Sequence, residues 1–112
     1  MTKEIQSDIG FADGEIQNYL RDDSNVTVNV KAWNGETVQV ICRDTIGIED
    51  HGLGEISALT RDVGSTPLLD RVLAYFYEVT PQEHPYSSYQ FQDLDGDPRL
   101  EIIAQSVEVR QL

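Results

Sequence analysis

The most distinctive chemical motif in this chain is a run of alternating acids, Asp93-Leu94-Asp95-Gly96-Asp97. Asp at alternate positions is similar to the start of an EF-hand calcium loop, whose carboxylate oxygens bind the ion. That loop also needs Gly at its sixth position and a bidentate acid at its twelfth, where this chain has Pro98 and Ala104. The motif therefore favours a hairpin turn, and its three Asp residues are only weak candidates for metal ligands.

A second candidate is Glu49-Asp50-His51, with Glu55 nearby, which could supply metal ligands or a general base. His84 would join this group only if the fold brought it close. Glycines follow at positions 52 and 54, so the pattern favours a solvated loop over a site. The only cysteine, Cys42, is predicted to face inward as a small buried hydrophobic residue and not to act as a nucleophile.

The charge balance limits the classes of partner. The chain has 20 Asp and Glu against 8 Lys and Arg in 112 residues, a formal net charge of −12. Nucleic acids and anionic membranes need clustered Lys and Arg, so the sequence predicts neither as a partner. The acidic surface serves either solubility alone or the attraction of a basic partner.

Two hairpins are predicted around the Gly-containing turns. Val26, Val28 and Val30 alternate with polar residues, and Val38, Val40 and Cys42 repeat the pattern. A three-residue loop with Gly35 in the left-handed position places Val30 opposite Val38, so it is favoured over a tighter turn.

The second hairpin is predicted to turn on the two residues Asp95-Gly96, which places Phe91 opposite Leu100. Pro98 would then face Asp93, and the missing N–H of Pro98 predicts a sheet edge there. A change of phase near Gln105-Ser106 predicts a bulge in the last strand.

Between the hairpins the apolar period becomes helical. Thr66 is the predicted N-cap and Pro67 the first helical residue, with Leu69, Leu73 and Phe76 among the residues of one face. Residues 15–21 are predicted to form a strand, and Ile9 with Phe11 a short one. Ile46 and Ile48 are predicted to extend the strand from Thr37, and residues 55–61 to form a short helical turn.

The resulting fold class is α+β: a mainly antiparallel sheet of about 5–6 strands with one main helix, about residues 66–78, packed on one face. Residues 1–112 are predicted to form a single globular domain, and the sequence allows a disordered segment over residues 1–6. The longest apolar run has six residues and the N-terminus has no secretory signal pattern, which predicts a cytoplasmic protein.

Aromatic residues supply candidate anchors for a protein partner. Trp33 lies at a predicted hairpin tip, where it either covers the end of the sheet or contacts a partner. The predicted partner-binding residues are Trp33, Tyr86, Tyr89, Asp93, Asp95 and Asp97. Their convergence on one face is a hypothesis that only the fold can test.

Three segments together resemble some small bacterial families of uncharacterised or immunity-type proteins. They are the opening Phe11-Ala12-Asp13-Gly14-Glu15-Ile16, the turn Trp33-Asn34-Gly35, and the final strand from Leu100 to Val109. Those families often have His before the Asp of the opening, where this chain has Ala12, and no catalytic residue carries over. The resemblance implies that the protein binds and neutralises a toxin made by a neighbouring gene.

The sequence thus predicts a non-catalytic acidic module, without a cofactor, that binds a basic protein and is an immunity-type inhibitor if the resemblance holds. Two alternatives remain. One is a structural domain that forms a homodimer or larger oligomer by pairing strand edges. The other is a small metal-dependent enzyme or calcium-binding module that uses the acidic motifs.

Overall fold

The computed structural model describes residues 2–5, 10–62 and 64–112. Its elements, in chain order, are β1 (Thr2–Ile5), β2 (Gly14–Asp22), β3 (Asn25–Lys31), β4 (Thr37–Arg43), β5 (Gly47–Asp50), β6 (Glu55–Ile56), β7 (Ala58–Asp62), α1 (Pro67–Phe76), β8 (Ser87–Gln92), β9 (Pro98–Ala104) and β10 (Ser106–Gln111). The strands form two five-stranded sheets. Sheet A has the order β1-β7-β8-β9-β5, and sheet B the order β10-β4-β3-β2-β6. All of the strand pairs are antiparallel.

The α+β class is confirmed, and so is a helix packed on one face of an antiparallel sheet. The predicted count of about 5–6 strands is wrong, because the described residues form ten strands in two sheets that pack face to face. Residues 2–5, for which the sequence allowed disorder, form the edge strand β1. Residues 1 and 6 lie outside the described residues.

The inner faces of the two sheets make the main core. Sheet B contributes alternate residues such as Val28, Val40 and Cys42, and sheet A contributes Phe91 and Leu100, all essentially inaccessible to solvent. Burying a large apolar side chain stabilises the fold by about 1.5–3 kcal/mol. The alternation of apolar and polar residues along β3 and β4 is therefore the pattern of a half-buried strand in a sandwich.

The first hairpin has the predicted register. Val30 pairs with Val38, Val28 with Val40 and Val26 with Cys42. Gly35 has φ +86°, the left-handed conformation that its place in a three-residue loop requires. The matching of apolar faces was sufficient to choose this loop from sequence.

For the second hairpin, the predicted pairing of the strands is confirmed, but the predicted two-residue turn is wrong. Phe91 does pair with Leu100. The loop, however, has three residues between Asp93 and Asp97, with the Asp93 amide donating to the Asp97 carbonyl at 2.9 Å. A shift of register after Phe91 absorbs the extra residue, so Pro98 pairs with Gln92 and not with Asp93.

Several sequence assignments failed where the chain changes sheet. Ile48 does not extend β4 but lies in β5 of sheet A, and residues 55–61 form β6 and β7 instead of a helical turn. The predicted bulge near Gln105 is the corner at which β9 of sheet A leads into β10 of sheet B. Phe11 lies in a turn, and Ile9 is outside the described residues.

The sheet edge predicted at Pro98 is also wrong, because β9 lies inside sheet A between β8 and β5. The ladder between β5 and β9 ends at Asp50 and Leu100, one residue short of Arg99. Pro98 therefore begins its strand beyond the end of that ladder, where its missing N–H breaks no pairing.

Helix α1 covers part of the outer face of sheet A. It begins after the predicted N-cap, Thr66, whose hydroxyl accepts a hydrogen bond from the Leu69 amide at 3.1 Å. It ends at Phe76, two residues before the predicted end. Leu69 and Leu73 pack on Ile103 in a second, smaller apolar cluster.

Beneath the start of α1 lies a buried acid, Glu101, which is 5% exposed. Its Oε2 accepts hydrogen bonds from the Thr66 hydroxyl at 2.9 Å and the Ser88 hydroxyl at 2.6 Å. These two bonds offset part of the cost of burying a carboxyl group and tie the helix start to β8 and β9.

Candidate functional site: the acidic end of the sandwich

Three turns meet at one end of the sandwich. The Phe11–Gly14 turn precedes β2, the loop 33–35 joins β3 to β4, and the loop 94–96 joins β8 to β9. The pairing of Glu15 with Lys31 places the first two turns at the same end of sheet B. The chain from β6 to β7 then brings that end beside the 94–96 loop.

The two hairpin loops share one geometry. In each, the first residue donates to the carbonyl of the residue four positions on, and the glycine amide bonds back to the first residue's carbonyl. Gly96 has φ +83° and Gly35 φ +86°. The residue after the first is a large exposed apolar side chain in both loops, namely Trp33 at 65% and Leu94 at 89% exposure.

Asp93 organises its loop by capping backbone groups. Its Oδ1 accepts from the amides of Asp95 and Asp97, each at 3.0 Å. Its Oδ2 lies 4.0 Å from the Arg99 guanidinium. Those contacts are the ones a turn needs. Across residues 2–5, 10–62 and 64–112 there is no group of three or more His, Cys, Asp or Glu placed to hold a metal ion.

A cleft of about 390 Å³ opens at this end between the Phe11–Gly14 turn, β6 and the 94–96 loop. Four acids line it, Asp13, Glu55, Asp93 and Asp95, and Leu94 stands beside them. We call this the acidic cleft. Its lining contains four carboxylates and no Lys, Arg or His, and Arg99 behind the loop lies 4.0 Å from one of them, Asp93. Its one large exposed apolar group is Leu94.

Residues 51–57 hold the acidic cleft together by crossing the end of the sandwich. The His51 amide donates to the Arg99 carbonyl of β9, and the Ser57 amide to the Gln92 carbonyl of β8. Between them, the Ile16 amide of β2 donates to the Gly54 carbonyl. The segment therefore ties both sheets together, with Ile56 buried beneath it.

The predicted group Glu49-Asp50-His51 with Glu55 is divided by the fold. Glu49 lies on the outer face of sheet A, where it pairs with His51 Nε2 at 2.8 Å and with Arg71 of α1. Asp50 instead accepts from the Tyr19 hydroxyl at 3.1 Å, and burial together with Asp50 raises the Tyr19 pKa. Glu55 lines the acidic cleft. Glu49, His51 and Arg71 therefore form an ion-pair cluster on the surface of sheet A.

Two of the predicted partner-binding residues are not at the acidic end. Tyr86 is 8% exposed and packs beneath the helix, edge-on to Phe76 at 5.4 Å between ring centroids. Tyr89 is 3% exposed and belongs to the core between the sheets. Their assignment to a surface with Trp33 is corrected, because the helix covers one ring and sheet B the other.

Cys42 behaves as the sequence predicted. Its side chain is buried in the core, pairing with Val26 of β3 and Val107 of β10. Burial raises the pKa of the thiol to about 12, which keeps it protonated at neutral pH. A protonated, inaccessible thiol does not act as a nucleophile.

Three residues of the acidic end, Asp13, Glu55 and Leu94, were not predicted to bind a partner, although Glu55 was a candidate metal ligand or general base. Asp13 carries a local signal, since Asp before Gly favours a turn, and its φ of +58° is one that Asp tolerates. Leu94 is the one apolar residue in an acidic loop. Glu55 has no local signal, because only the crossing of residues 51–57 brings it there.

Comparison with known proteins found no matching family model, no matching curated protein and no matching solved structure. Within the part of the chain that the structure describes, no helix has the length and apolar character needed to cross a membrane.

Proposed function

We propose that this protein is a non-catalytic binding module that takes a basic protein partner at its acidic end. The observation that carries the proposal is the acidic cleft, with four carboxylates, no basic residue in its lining and Leu94 exposed beside it. Complementary charge speeds association and selects partners, while exposed apolar side chains supply anchors.

Trp33 supports a wider contact surface at the same end. It stands on the neighbouring hairpin loop and is 65% exposed, in the same loop position as Leu94. Apolar anchors surrounded by acids fit a partner that presents Lys or Arg around a shallow apolar pocket. An inhibitor of a basic toxin, which the resemblance to immunity-type families implies, would be one form of this function.

The test compares two triple variants with the same change of charge. Asp13→Asn/Glu55→Gln/Asp95→Asn neutralises the acidic cleft, and Asp22→Asn/Asp23→Asn/Asp44→Asn neutralises exposed acids at the opposite end. Asn tolerates the positive φ of Asp13, Asp23 and Asp44. Tagged protein captures partners from native lysate at low and high salt, and titration calorimetry then measures the captured protein against each variant.

We expect one stoichiometric basic protein, released by salt, whose affinity falls at least about tenfold for the cleft variant, or about 1.4 kcal/mol. The opposite-end variant retains it. Leu94→Ser is expected to weaken the same complex, with Leu20→Ser, also exposed, as its control. Equal losses in both triple variants would mean that net charge alone attracts the partner and would contradict a site at the acidic cleft.

A second candidate, a homo-oligomeric structural domain, has one observation in its favour. The end of α1 and the residues after it expose Tyr75 at 90%, Phe76 at 53% and Val79 at 83%. Contiguous exposed apolar side chains are typical of an interaction surface. Light scattering over a range of protein concentrations decides between this candidate and a monomer, and Phe76→Ser would shift a dimer to monomer.

A further inference from the structure

A second cleft lies at the other end of the sandwich, and its lining holds two cations, Lys3 and Arg61, and one acid, Glu4. It also measures about 390 Å³ and opens between β1, β7 and β8 of sheet A and the start of β10 in sheet B. Its lining includes Lys3, Arg61, Tyr89, Gln105, Ser106 and Val107. We call it the cationic cleft.

The ladder of sheet A places the two cations side by side. Lys3 pairs directly with Arg61, and Arg61 pairs directly with Tyr89. Directly paired residues of antiparallel strands point to the same face. That face is the inner one, since Tyr89 belongs to the core and Ile5, two residues after Lys3, packs against it.

Glu4 also borders the cationic cleft, but it does not share this row. It pairs with Thr60 on the ladder, and alternation along the strand directs Lys3 and Glu4 to opposite faces. The row that faces sheet B is therefore Lys3, Arg61 and Tyr89, with two positive charges.

The direct pairing of Lys3 with Arg61 is electrostatically unfavourable for the fold. Like charges directly opposite each other in an antiparallel pair are destabilising, and the protein has only 8 basic residues to place. Arg43, Arg71, Arg99 and Arg110 each pair with a carboxylate. Among the described residues, Lys3 and Arg61 form no such pair, and neither do Arg21 and Lys31.

Arg61 is also held in position. Its Nε donates to the Ser87 hydroxyl at 3.1 Å, which uses one of its five N–H donors. A guanidinium fixed in this way retains its terminal donors for a ligand, and its planar fork matches the geometry of an oxyanion. Gln105, Ser106 and Tyr89 add neutral side chains that can donate hydrogen bonds.

We propose that the cationic cleft is a binding site for a small phosphate-bearing anion, bound by Arg61 and Lys3. The volume is within the range of small-molecule sites, about 300–1,000 Å³. A nucleic acid does not fit, because the chain as a whole is strongly acidic. This site is independent of the proposed protein-binding function, which uses the other end of the molecule.

The first experiment titrates the protein with inorganic phosphate while two-dimensional amide spectra are recorded, with sodium chloride at matched ionic strength as the reference. The result expected is a set of saturable shifts at residues 3, 61, 87, 89, 105 and 106. Shifts that grow linearly with phosphate, or that chloride reproduces, would overturn the proposal.

Matched variants test the assigned residues. Lys3→Gln removes one cation of the cleft, and Lys31→Gln removes an exposed lysine from sheet B with the same change of charge. We expect Lys3→Gln to weaken phosphate binding about tenfold and Lys31→Gln to leave it unchanged. Arg61→Lys keeps the charge, loses the planar fork and is expected to weaken binding as well. Equal affinities for all four proteins would overturn the site.

A second ligand shows whether the cationic cleft binds an organic phosphate ester or the free anion. Phenyl phosphate presents the same dianion with a ring that can occupy the apolar wall near Val107 and Tyr89. Tighter binding of phenyl phosphate than of inorganic phosphate supports the site with an organic phosphate ester as its ligand. Equal affinities support it with the free anion as its ligand.

Discussion

The acidic cleft and the cationic cleft are equal in volume and lie at opposite ends of one sandwich, yet they differ in how their charges are explained. In the acidic cleft, Asp93 caps its own loop and Asp13 occupies a left-handed turn position. Turn chemistry accounts for both residues without a ligand. In the cationic cleft, Lys3 and Arg61 oppose each other on a strand pair, and the hydrogen bond from Arg61 to Ser87 does not account for the second cation.

This difference shows when a cluster of charged residues indicates a binding site. In a chain with a net charge of −12, one more cluster of acids is the expected background, and its function has to be argued from shape and from Leu94. Two adjacent cations run against that background. Partner binding at the acidic cleft therefore needs a matched charge control, whereas the direct pairing of Lys3 with Arg61 is itself the distinguishing feature of the cationic cleft.

The segment from Tyr89 to Asp93 reaches both clefts, so Phe91, the penultimate residue of β8, gives the largest expected effect. Phe91 is inaccessible to solvent, between Tyr89 of the cationic cleft and Asp93 of the acidic cleft. Phe91→Ala is expected to lower the free energy of unfolding by about 3–5 kcal/mol, measured by urea denaturation, because it leaves a cavity between the sheets. Tyr75→Ala, at a 90% exposed position, is expected to change stability by less than about 0.5 kcal/mol.

Phe91→Ala also has an expected effect on binding at the two clefts. Because Phe91 lies two residues from Tyr89 and two from Asp93, Phe91→Ala is expected to weaken the binding of phosphate and of the basic partner together. Loss at one end alone would show that the two clefts are supported separately.

Thr66→Ala tests the structure outside both clefts. The Thr66 hydroxyl caps α1 and donates to the buried Glu101. Its removal leaves one helix amide and one carboxyl oxygen with fewer partners, at an expected cost of about 1–3 kcal/mol in thermal or urea unfolding. Thr66→Ser keeps the hydroxyl and is expected to recover most of the loss.

Both clefts are expected to retain their ligands in folded Thr66→Ala protein, since neither is lined by helix residues. Loss of phosphate binding in this variant would mean that the outer face of sheet A positions Arg61.

A pair of glycine variants compares the two hairpin loops. Gly96→Ala changes the 94–96 loop, which forms one wall of the acidic cleft, and Gly35→Ala changes the loop 33–35, which does not line it. Both glycines have left-handed φ, and an added Cβ would meet no atom within 4 Å at either position. The cost is therefore conformational, about 1 kcal/mol for each variant in urea denaturation. A clearly larger loss for Gly96→Ala would show that contacts across the acidic cleft hold its loop.

These two loops also show how far sequence reasoning can go. The first was predicted because only a three-residue loop matches Val30 with Val38. For the second, a two-residue turn and a three-residue loop followed by a bulge give the same pairing of Phe91 with Leu100. Hydrophobic matching cannot separate these alternatives, and the bulge was missed.

The two-sheet architecture was not predicted from the sequence, and the reason is physical. Ile46 and Ile48 continue the apolar alternation of β4, so the change of sheet after Arg43 leaves no hydrophobic signal. A left-handed residue, Asp44 with φ +54°, makes that corner. The members of each cleft come from strands far apart in the chain, so their convergence depended on the sheet order, which no local pattern specifies.

The smallest expected effect is a change in the free energy of unfolding that has opposite signs for Lys3→Gln and Lys31→Gln. Lys3 lies opposite Arg61, whereas Lys31 lies opposite Glu15 on the neighbouring strand. Without phosphate and at low salt, Lys3→Gln is expected to raise the free energy of unfolding by about 0.2–1 kcal/mol, and Lys31→Gln to lower it by a similar amount. Both differences shrink at about 1 M salt, where the Debye length is about 3 Å.

The net charge makes the sign for Lys3 a demanding prediction. In a protein with a net charge of −12, the loss of any cation increases overall repulsion and should destabilise the fold. Stabilisation by Lys3→Gln therefore requires a local repulsion from Arg61 that exceeds the global term. Added phosphate should reverse the order, because the wild type then gains binding energy that Lys3→Gln has lost. If Lys3→Gln destabilises the phosphate-free protein as Lys31→Gln does, the two cations do not repel and the cationic cleft loses its distinguishing feature.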